Sequence, residues 1–176
     1  MSSTSLGEVT VELTIGDVTA QLDLDAVVNA ANARLATGGG VAGAIHRAAG
    51  PGLEQECRPL APIVPGQAVI TSGHDLPNPH VIHVLGPVYG SDEPSDELLS
   101  RCYRGALDRA EEAGLASVGF PAVSTGVFGY PMDEAAEVAL RTLRDEAGRL
   151  ESVRLVRFVL FDQAALEAHE RALRAL

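Results

Sequence analysis

The apolar positions along the chain follow two different periods, which alternate from one segment to the next. Residues 8–15 alternate apolar and polar side chains, which predicts a strand with one buried face. Short apolar runs bounded by turn residues predict five further strands, at residues 26–29, 68–72, 80–85, 117–121 and 153–161. Apolar residues at helical spacing predict helices at residues 41–49, 53–60, 95–113, 132–147 and 162–176.

Strands that alternate with helices indicate a sheet with helices on both of its faces. The predicted fold class is therefore α/β: a three-layer α/β/α sandwich with a mixed, mostly parallel central sheet. The first strand, residues 8–15, is expected to form an antiparallel edge. No repeat or linker interrupts the pattern, so residues 8–176 are expected to form a single domain, and the small polar residues 1–7 a loose lead-in.

The composition fits such a fold and narrows the function. Hydrophobic residues make up 46% of the chain and aromatic residues 4%, so Val, Leu, Ile and Ala must build the core. Cys57 and Cys102 lie far apart and are expected to be reduced thiols, and no metal-ligand spacing occurs. No apolar run approaches the roughly 18 residues that cross a bilayer, and no signal-peptide pattern begins the chain. We therefore expect a cytoplasmic protein with no metal, no cofactor and no membrane contact.

The charge balance argues against a nucleic-acid partner. The net charge is −11, and all 13 basic residues are Arg. Such an acidic surface opposes the counterion release that drives binding to polynucleotides. An anionic ligand would have to be held by local donors, for which the backbone amides at helix N-termini are the natural candidates.

Two glycine-containing segments supply such donors. The first runs from Asn29-Ala-Ala-Asn32 into Thr37-Gly-Gly-Gly-Val-Ala-Gly43, from a strand end to a helix N-terminus. It lacks the Gly-Lys-Ser/Thr of a P-loop and the G-x-G-x-x-G of a dinucleotide fingerprint. The alternative interpretation, that this segment is a turn with a purely structural role, remains open. The second, residues 124–131 (STGVFGYP), also follows a strand. Because ligands bind at the carboxyl ends of strands in open α/β sheets, the two loops are expected to hold two phosphates of one ligand.

These segments together resemble the macrodomain family, which binds ADP-ribose in an α/β/α fold. The matching motifs are residues 16–19 (GDVT), 27–32 (VVNAAN), 38–51 (GGGVAGAIHRAAGP), 81–87 (VIHVLGP) and 120–131 (FPAVSTGVFGYP). The similarity extends from Val11 to Asp162 and is closest to the MacroD-type branch. That branch removes ADP-ribose from carboxylate side chains and deacetylates O-acetyl-ADP-ribose. The resemblance implies that the partner is ADP-ribose or a mono-ADP-ribosylated protein, and that the chain acts as a monomer.

The resemblance also implies a role for each site residue. Asp17 and Val18 would bind adenine and Phe161 would lie against it, although Asp17 as a simple cap and Phe161 as core packing remain open. Asn32 would bind the distal ribose, whereas Asn29 would order the loop. The other residues expected to bind the ligand are Gly38, Gly39, Gly40, Val41, Ala42, Ser124, Thr125, Gly126, Val127 and Phe128. Three residues are expected to support catalysis: Asn32, Gly40 and Phe128. Asn32 would fix the sugar, the loop backbone at Gly40 would hold the attacking water, and Phe128 would limit access to the reacting bond.

One departure from the family bears on mechanism. MacroD-type enzymes carry Asp where this chain has Ala42, and alanine cannot activate water. Certain viral and archaeal macrodomains share the Gly-Gly-Gly-Val-Ala-Gly form and still hydrolyse ADP-ribosyl esters. Two hypotheses follow: a hydrolase that acts on ADP-ribosyl esters, and a reader that only binds ADP-ribose. His46, one helical turn after Ala42, is interpreted as a packing residue, with a substitute base as the alternative.

Overall fold

The computed structural model describes all residues, Met1–Leu176. Its strands are β1 (Ser2–Leu6), β2 (Val9–Ile15), β3 (Ala26–Ala30), β4 (Ala68–Ser72), β5 (His80–Val84), β6 (Ser117–Phe120) and β7 (Leu155–Leu160). Its helices are α1 (Gly40–Ala49), α2 (Pro51–Cys57), α3 (Ser95–Glu112), α4 (Met132–Ala147) and α5 (Gln163–Arg174). Each strand and helix predicted from the apolar pattern is present, with small differences at the ends. No helix is both long enough and apolar enough to span a membrane.

The seven strands form one mixed sheet in the order β1-β2-β7-β6-β3-β5-β4. The five inner strands are parallel to one another, and the two edge strands, β1 and β4, pair with them in the antiparallel sense. The predicted mixed, mostly parallel sheet is confirmed. The prediction that residues 8–15 form the antiparallel edge is wrong, because β2 lies inside the sheet and pairs in parallel with β7.

The prediction of a loose lead-in at residues 1–7 is also wrong. Ser2–Leu6 forms strand β1, whose register with β2 runs from Ser2↔Leu13 to Leu6↔Val9. The side chains of β1 are mostly exposed, so the segment carries little apolar signal. Backbone hydrogen bonds to β2 order it, and those bonds are independent of side-chain type.

Helices cover both faces of the sheet and create two hydrophobic cores. The larger core lies under α3, α4 and α5, and the smaller core under α1 and α2. Strand β3 contributes to both, since Val28 belongs to the larger core and Val27 to the smaller one. Residues on neighbouring positions of a strand point to opposite faces, so a buried parallel strand must be apolar on both.

The connections after β3 and β6 leave the sheet in opposite directions. Strand β3 leads to α1 on the face of the smaller core, and β6 leads to α4 on the face of the larger core. The β3–β6 pairing stops after Ala26↔Val118 and Val27↔Gly119, so the remaining parts of the two strands are unpaired with each other. In open α/β sheets this reversal of direction creates a crevice at the carboxyl ends of the strands, where ligands bind.

Candidate functional site

The residues predicted to bind a ligand all follow the carboxyl ends of inner strands. Asp17 follows β2, Phe161 follows β7, loop 2 (residues 121–131) follows β6 and loop 1 (residues 31–39) follows β3. Because these strands are parallel, their carboxyl ends lie on one edge of the sheet. The fold therefore brings the predicted groups to one edge, in the order Asp17, Phe161, loop 2, loop 1.

Loop 1 ends in a helix N-terminus with free backbone amides. Gly39 is the N-cap of α1 and supplies no side-chain cap, and the first turn contains no acidic residue. The N–H groups of Gly40, Val41 and Ala42 donate no hydrogen bond within the protein. Free amides at a helix N-terminus attract anions, and Gly40 has the left-handed φ of 56° that favours glycine. This end of α1 can hold a phosphate group.

Gly43 allows loop 1 to pack closely against α1. A Cβ atom at Gly43 would lie 2.2 Å from the carbonyl oxygen of Gly38, a backbone atom that cannot rotate away. We expect Gly43→Ala to lower the free energy of unfolding by about 1–3 kcal/mol because loop 1 must move. Thermal unfolding checks this. An unchanged or raised midpoint, as expected when Ala replaces Gly in an unobstructed helix, would contradict the proposed close packing.

The Asn32 side chain holds loop 1 in shape. Its Nδ2 donates to the carbonyl oxygen of Ala36 at 2.9 Å, and its Oδ1 accepts from the Ala36 amide at 3.1 Å. The second N–H and the second oxygen lone pair stay available for a ligand hydroxyl. The expectation that Asn29 orders the loop is wrong, since Asn29 is fully buried and bonds instead to Nδ1 of His83 at 3.1 Å.

Loop 2 presents a second set of free amides. The N–H groups of Ser124, Gly126, Val127 and Phe128 donate no hydrogen bond within the protein. The loop is closed by the Tyr130 amide, which donates to the Ser124 carbonyl at 2.9 Å, and by the Thr125 hydroxyl, which donates to the Ala122 carbonyl at 2.7 Å. Thr125 thus shapes the turn with its hydroxyl.

Ser124 combines two features that are typical of functional loops. Its φ of 67° is left-handed, which costs a non-glycine residue on the order of 1 kcal/mol or more. Its Oγ is buried and has no hydrogen-bond partner. Buried polar atoms are rarely left without a partner in proteins, so both features mark loop 2 as shaped for something other than stability.

The Phe161 ring lies in solvent at the end of β7. Its exposed fraction is 91%, so the interpretation of Phe161 as core packing is wrong. The free ring can stack on a planar ligand. Val127 in loop 2 is fully exposed as well.

Asp17 is both a cap and a free acceptor. Its Oδ1 accepts from the amide and the hydroxyl of Thr19, at 2.8 and 2.7 Å, so the capping interpretation is confirmed. These hydrogen bonds lower the pKa of Asp17 and keep it ionised. Its Oδ2 has no partner within the protein and the residue is exposed, so Asp17 can also accept from a ligand.

His46, on the buried side of α1, and His83, on β5, are both buried. His83 is fully buried, bonds to the Thr71 hydroxyl at 2.9 Å, and has a pKa lowered to about 3 by burial and by the nearby His46. His46 is 7% exposed, which confirms the packing interpretation, and burial lowers its pKa while Glu54 opposes the shift. Its Nε2 is buried without a partner. Ala42, one turn before it, is 5% exposed and offers no polar atom to that nitrogen.

A third loop at the same edge was missed by the sequence reasoning. Loop 3 (residues 85–94) follows β5, and its Tyr89 amide donates to the Phe128 carbonyl of loop 2 at 2.9 Å. A Cβ atom on Gly86 would lie 2.0 Å from Oγ of Ser124, so loops 2 and 3 pack closely. The signal was available in residues 81–87, where Gly86 follows an apolar strand just as the glycines of the other loops do.

The edge carries no group of side chains arranged for a metal ion. No cluster of three or more His, Cys, Asp or Glu residues has a geometry that suits one. Cys57 and Cys102 are buried free thiols, whose pKa burial raises to about 11 and about 12. They are thus protonated at neutral pH and poor nucleophiles.

Comparison with known proteins places these features in a family. The Macro domain family model matches residues 28–139. A macro domain-containing protein of Streptomyces coelicolor is 47% identical over 164 residues, which cover 90% of this chain and 95% of that protein. A Klebsiella pneumoniae protein named O-acetyl-ADP-ribose deacetylase is 44% identical over 167 residues, which cover 92% of this chain and 95% of that protein.

Two solved structures show the same fold with nucleotides bound. The Oceanobacillus iheyensis macrodomain with ADP has a TM-score of 0.94 and 37% identity, over 99% of this chain and 95% of that one. The Trypanosoma brucei macrodomain in complex with ADP-ribose has a TM-score of 0.86 and 40% identity, over 93% of this chain and 68% of that one.

Proposed function

This chain belongs to the Macro domain family, and from that membership and its site we propose that it binds ADP-ribose and hydrolyses ADP-ribosyl esters. The substrates would be proteins mono-ADP-ribosylated on acidic side chains, with O-acetyl-ADP-ribose as a second substrate. The observation that carries the proposal is the presence of two sets of free backbone amides, on α1 and on loop 2, at the crevice between β3 and β6.

The proposed ligand lies along the strand ends. Adenine stacks on Phe161 and its amino group donates to Asp17, with the amide of Val18 beside it. The pyrophosphate accepts from loop 2 and from the N-terminus of α1, and the distal ribose bonds to Asn32. Strands β2 and β3 are three strand spacings apart, about 14 Å, which matches a ligand built of adenine, ribose, two phosphates and a second ribose in line.

Backbone amides are suitable phosphate-binding groups in a protein with this negative net charge. With a net charge of −11, the long-range field of the chain repels a pyrophosphate. Hydrogen bonds from amides to a charged phosphate contribute about 1.5–3 kcal/mol each and act only at short range. Binding therefore depends on the shape of the two loops and needs no arginine at the crevice.

For the protein substrate, the proposed reaction breaks the bond between C1″ of the distal ribose and the ester oxygen. The electron pair of that bond leaves with the carboxylate, water adds at C1″, and the proton that the water loses passes to solvent or to a ligand phosphate. A carboxylate is a good leaving group from an anomeric carbon, so orientation contributes more than a strong base. Asn32 fixes the sugar and the loop backbone at Gly40 holds the water. Phe128, which is partly buried against the smaller core, limits access of other molecules to C1″.

A reader without catalysis is the second candidate function. Ala42 favours it, because this nearly buried position at the N-terminus of α1 carries no carboxylate that would activate water. Calorimetry with free ADP-ribose and a single-turnover assay on glutamate-linked ADP-ribosyl protein separate the two candidates. Binding with release of ADP-ribose supports the hydrolase; binding without release supports the reader.

We expect Asn32→Ala to slow ester hydrolysis by about tenfold or more, and to weaken ADP-ribose binding less. Loss of one hydrogen bond to the sugar is worth about 1.4 kcal/mol, and the effect is larger where the bond orients the reacting sugar. Single-turnover rates and calorimetry measure the two quantities. Since Asn32 also bonds to Ala36, thermal unfolding is measured beside them. A variant that binds ADP-ribose normally and hydrolyses at the wild-type rate would rule out this role.

A further inference from the structure

Loop 3 (residues 85–94) lies beyond the ribose end of the proposed ligand. In the sheet order the strand next to β3, on the side away from β6, is β5. Strand β5 is parallel to β3, so its carboxyl end continues the same edge. A ligand that begins at Asp17 and Phe161 and reaches its distal ribose at β3 directs C1″ toward loop 3. The atoms attached to C1″, namely the modified side chain and its polypeptide, must then leave the crevice near this loop.

Tyr89 is the exposed aromatic residue of loop 3, and three contacts hold it in place. Its amide donates to the Phe128 carbonyl at 2.9 Å, and its ring lies 4.8 Å from the ring of Tyr130 at an angle of 54°. Its hydroxyl donates to Oε2 of Glu134 at 3.1 Å. The residue still has an exposed fraction of 43%. A fixed ring that remains open to solvent presents a contact surface at low entropic cost.

The surroundings of this ring are acidic. Glu134 bonds to Tyr89, and both Glu134 and Glu93 raise the pKa of its phenol. Asp92 accepts from the Val88 amide in the same loop. Burial raises the pKa of the neighbouring Tyr130, and Asp96 and Glu134 raise it further. Arg141 opposes the rise in the pKa of Tyr130 and is the one basic residue among the charged groups that act on these two tyrosines. Negative potential around an aromatic face favours a cation.

We propose that Tyr89, with Glu134 behind it, contacts the polypeptide that carries the ADP-ribosyl group and selects substrates with a basic residue beside the modified side chain. This inference rests on the proposed function, since it takes its direction from the ADP-ribosyl group in the crevice. Tyr89 acts as a specificity-determining residue: it contacts the substrate polypeptide and not the bond that breaks.

The test compares two peptides that are mono-ADP-ribosylated on glutamate, one with arginine and one with glutamate at the flanking positions. Fluorescence anisotropy gives their affinities before appreciable release, single-turnover kinetics gives their rates of release, and calorimetry gives the affinity for free ADP-ribose. The variants are Tyr89→Leu and Glu134→Gln. Glu137→Gln is the matched control, because Glu137 is exposed one turn later on α4 and has no hydrogen-bond or ion-pair partner.

The wild type should bind the arginine-flanked peptide about fivefold more tightly than the glutamate-flanked one, as expected for one cation–aromatic contact and one exposed charge pair. Tyr89→Leu and Glu134→Gln should reduce this ratio toward one while the affinity for free ADP-ribose stays the same, and Glu137→Gln should keep the ratio. Equal wild-type affinities for both peptides, or a parallel loss of free ADP-ribose binding in Tyr89→Leu, would overturn the inference. Selective binding without release of ADP-ribose supports the inference and contradicts only the proposed hydrolase.

Discussion

Replacing Ala42 by Asp is expected to raise the rate of ADP-ribosyl ester hydrolysis by roughly 100-fold, the lower end of what a positioned general base contributes. Position 42 lies in the first turn of α1, and its amide is one of the free donors at the crevice. His46, one turn later, has a buried Nε2 without a partner. An aspartate at position 42 can accept from His46 and from the attacking water, and the helix N-terminus stabilises its charge.

The same substitution makes two further measurements informative. The new carboxylate should raise the pKa of His46, which burial now lowers, and NMR titration of the ring measures this shift. The affinity for free ADP-ribose should fall, because the carboxylate repels the pyrophosphate. Ala42→Asn, which has a similar volume and no basicity, is the control and should leave the rate near that of the wild type. An equal rate for the Asp and Asn variants would exclude general-base assistance from this position.

Replacing Gly126 by Ala is expected to weaken ADP-ribose binding by roughly 100-fold without any loss of stability. A Cβ atom at Gly126 would have no protein atom within 4 Å, so the free protein has room for it. In the proposed complex the free amides of Gly126 and Val127 donate to the pyrophosphate, and the added methyl group would hold the phosphate away from them. Loss of about 2.7 kcal/mol, in the range of one to two hydrogen bonds to a charged group, gives this factor.

The matched control for this change is Gly148→Ala. Gly148 follows α4, and a Cβ atom there also has no protein atom within 4 Å. Both variants should unfold at or above the wild-type temperature, and only Gly126→Ala should lose affinity in calorimetry with ADP-ribose. Normal binding by Gly126→Ala would show that no ligand approaches the backbone of loop 2, and would remove the main support for the pyrophosphate site.

The main elements of the fold could be predicted because each is encoded by local pattern. Residues 68–72 and 132–147 have the same bounds in the prediction and in the structure, since a short apolar run and an amphipathic repeat leave few alternatives. Ser2–Leu6 was missed because its side chains stay largely exposed and its order comes from backbone pairing with β2. The prediction that residues 8–15 form the sheet edge is wrong for the same reason, because β1, which the apolar pattern does not indicate, pairs with β2 on its outer side.

The glycine loops could be placed from sequence, but the roles of their side chains could not. The glycines of residues 38–43 and 124–131 predict places where a ligand could approach the backbone, and a strand-to-helix order puts both segments at one edge. Asn29 and Asn32 have the same side chain three residues apart, so sequence alone offers little to separate them. Their positions relative to β3 separate their roles. Asn29 lies within the strand and points into the buried layer toward His83, whereas Asn32 lies past the strand end beside Ala36.

The sequence by itself determined the strand and helix succession, the position of two glycine-containing loops after strand ends and the absence of a carboxylate at Ala42. These properties depend on residue type and spacing within one segment. The tertiary structure decided which strands lie side by side, that Phe161 lies in solvent, that His46 lacks a partner, and that Tyr89 extends the edge beyond Phe128. Each of these depends on contacts between segments far apart in the chain, and burial and hydrogen bonding are fixed only when those segments have packed together.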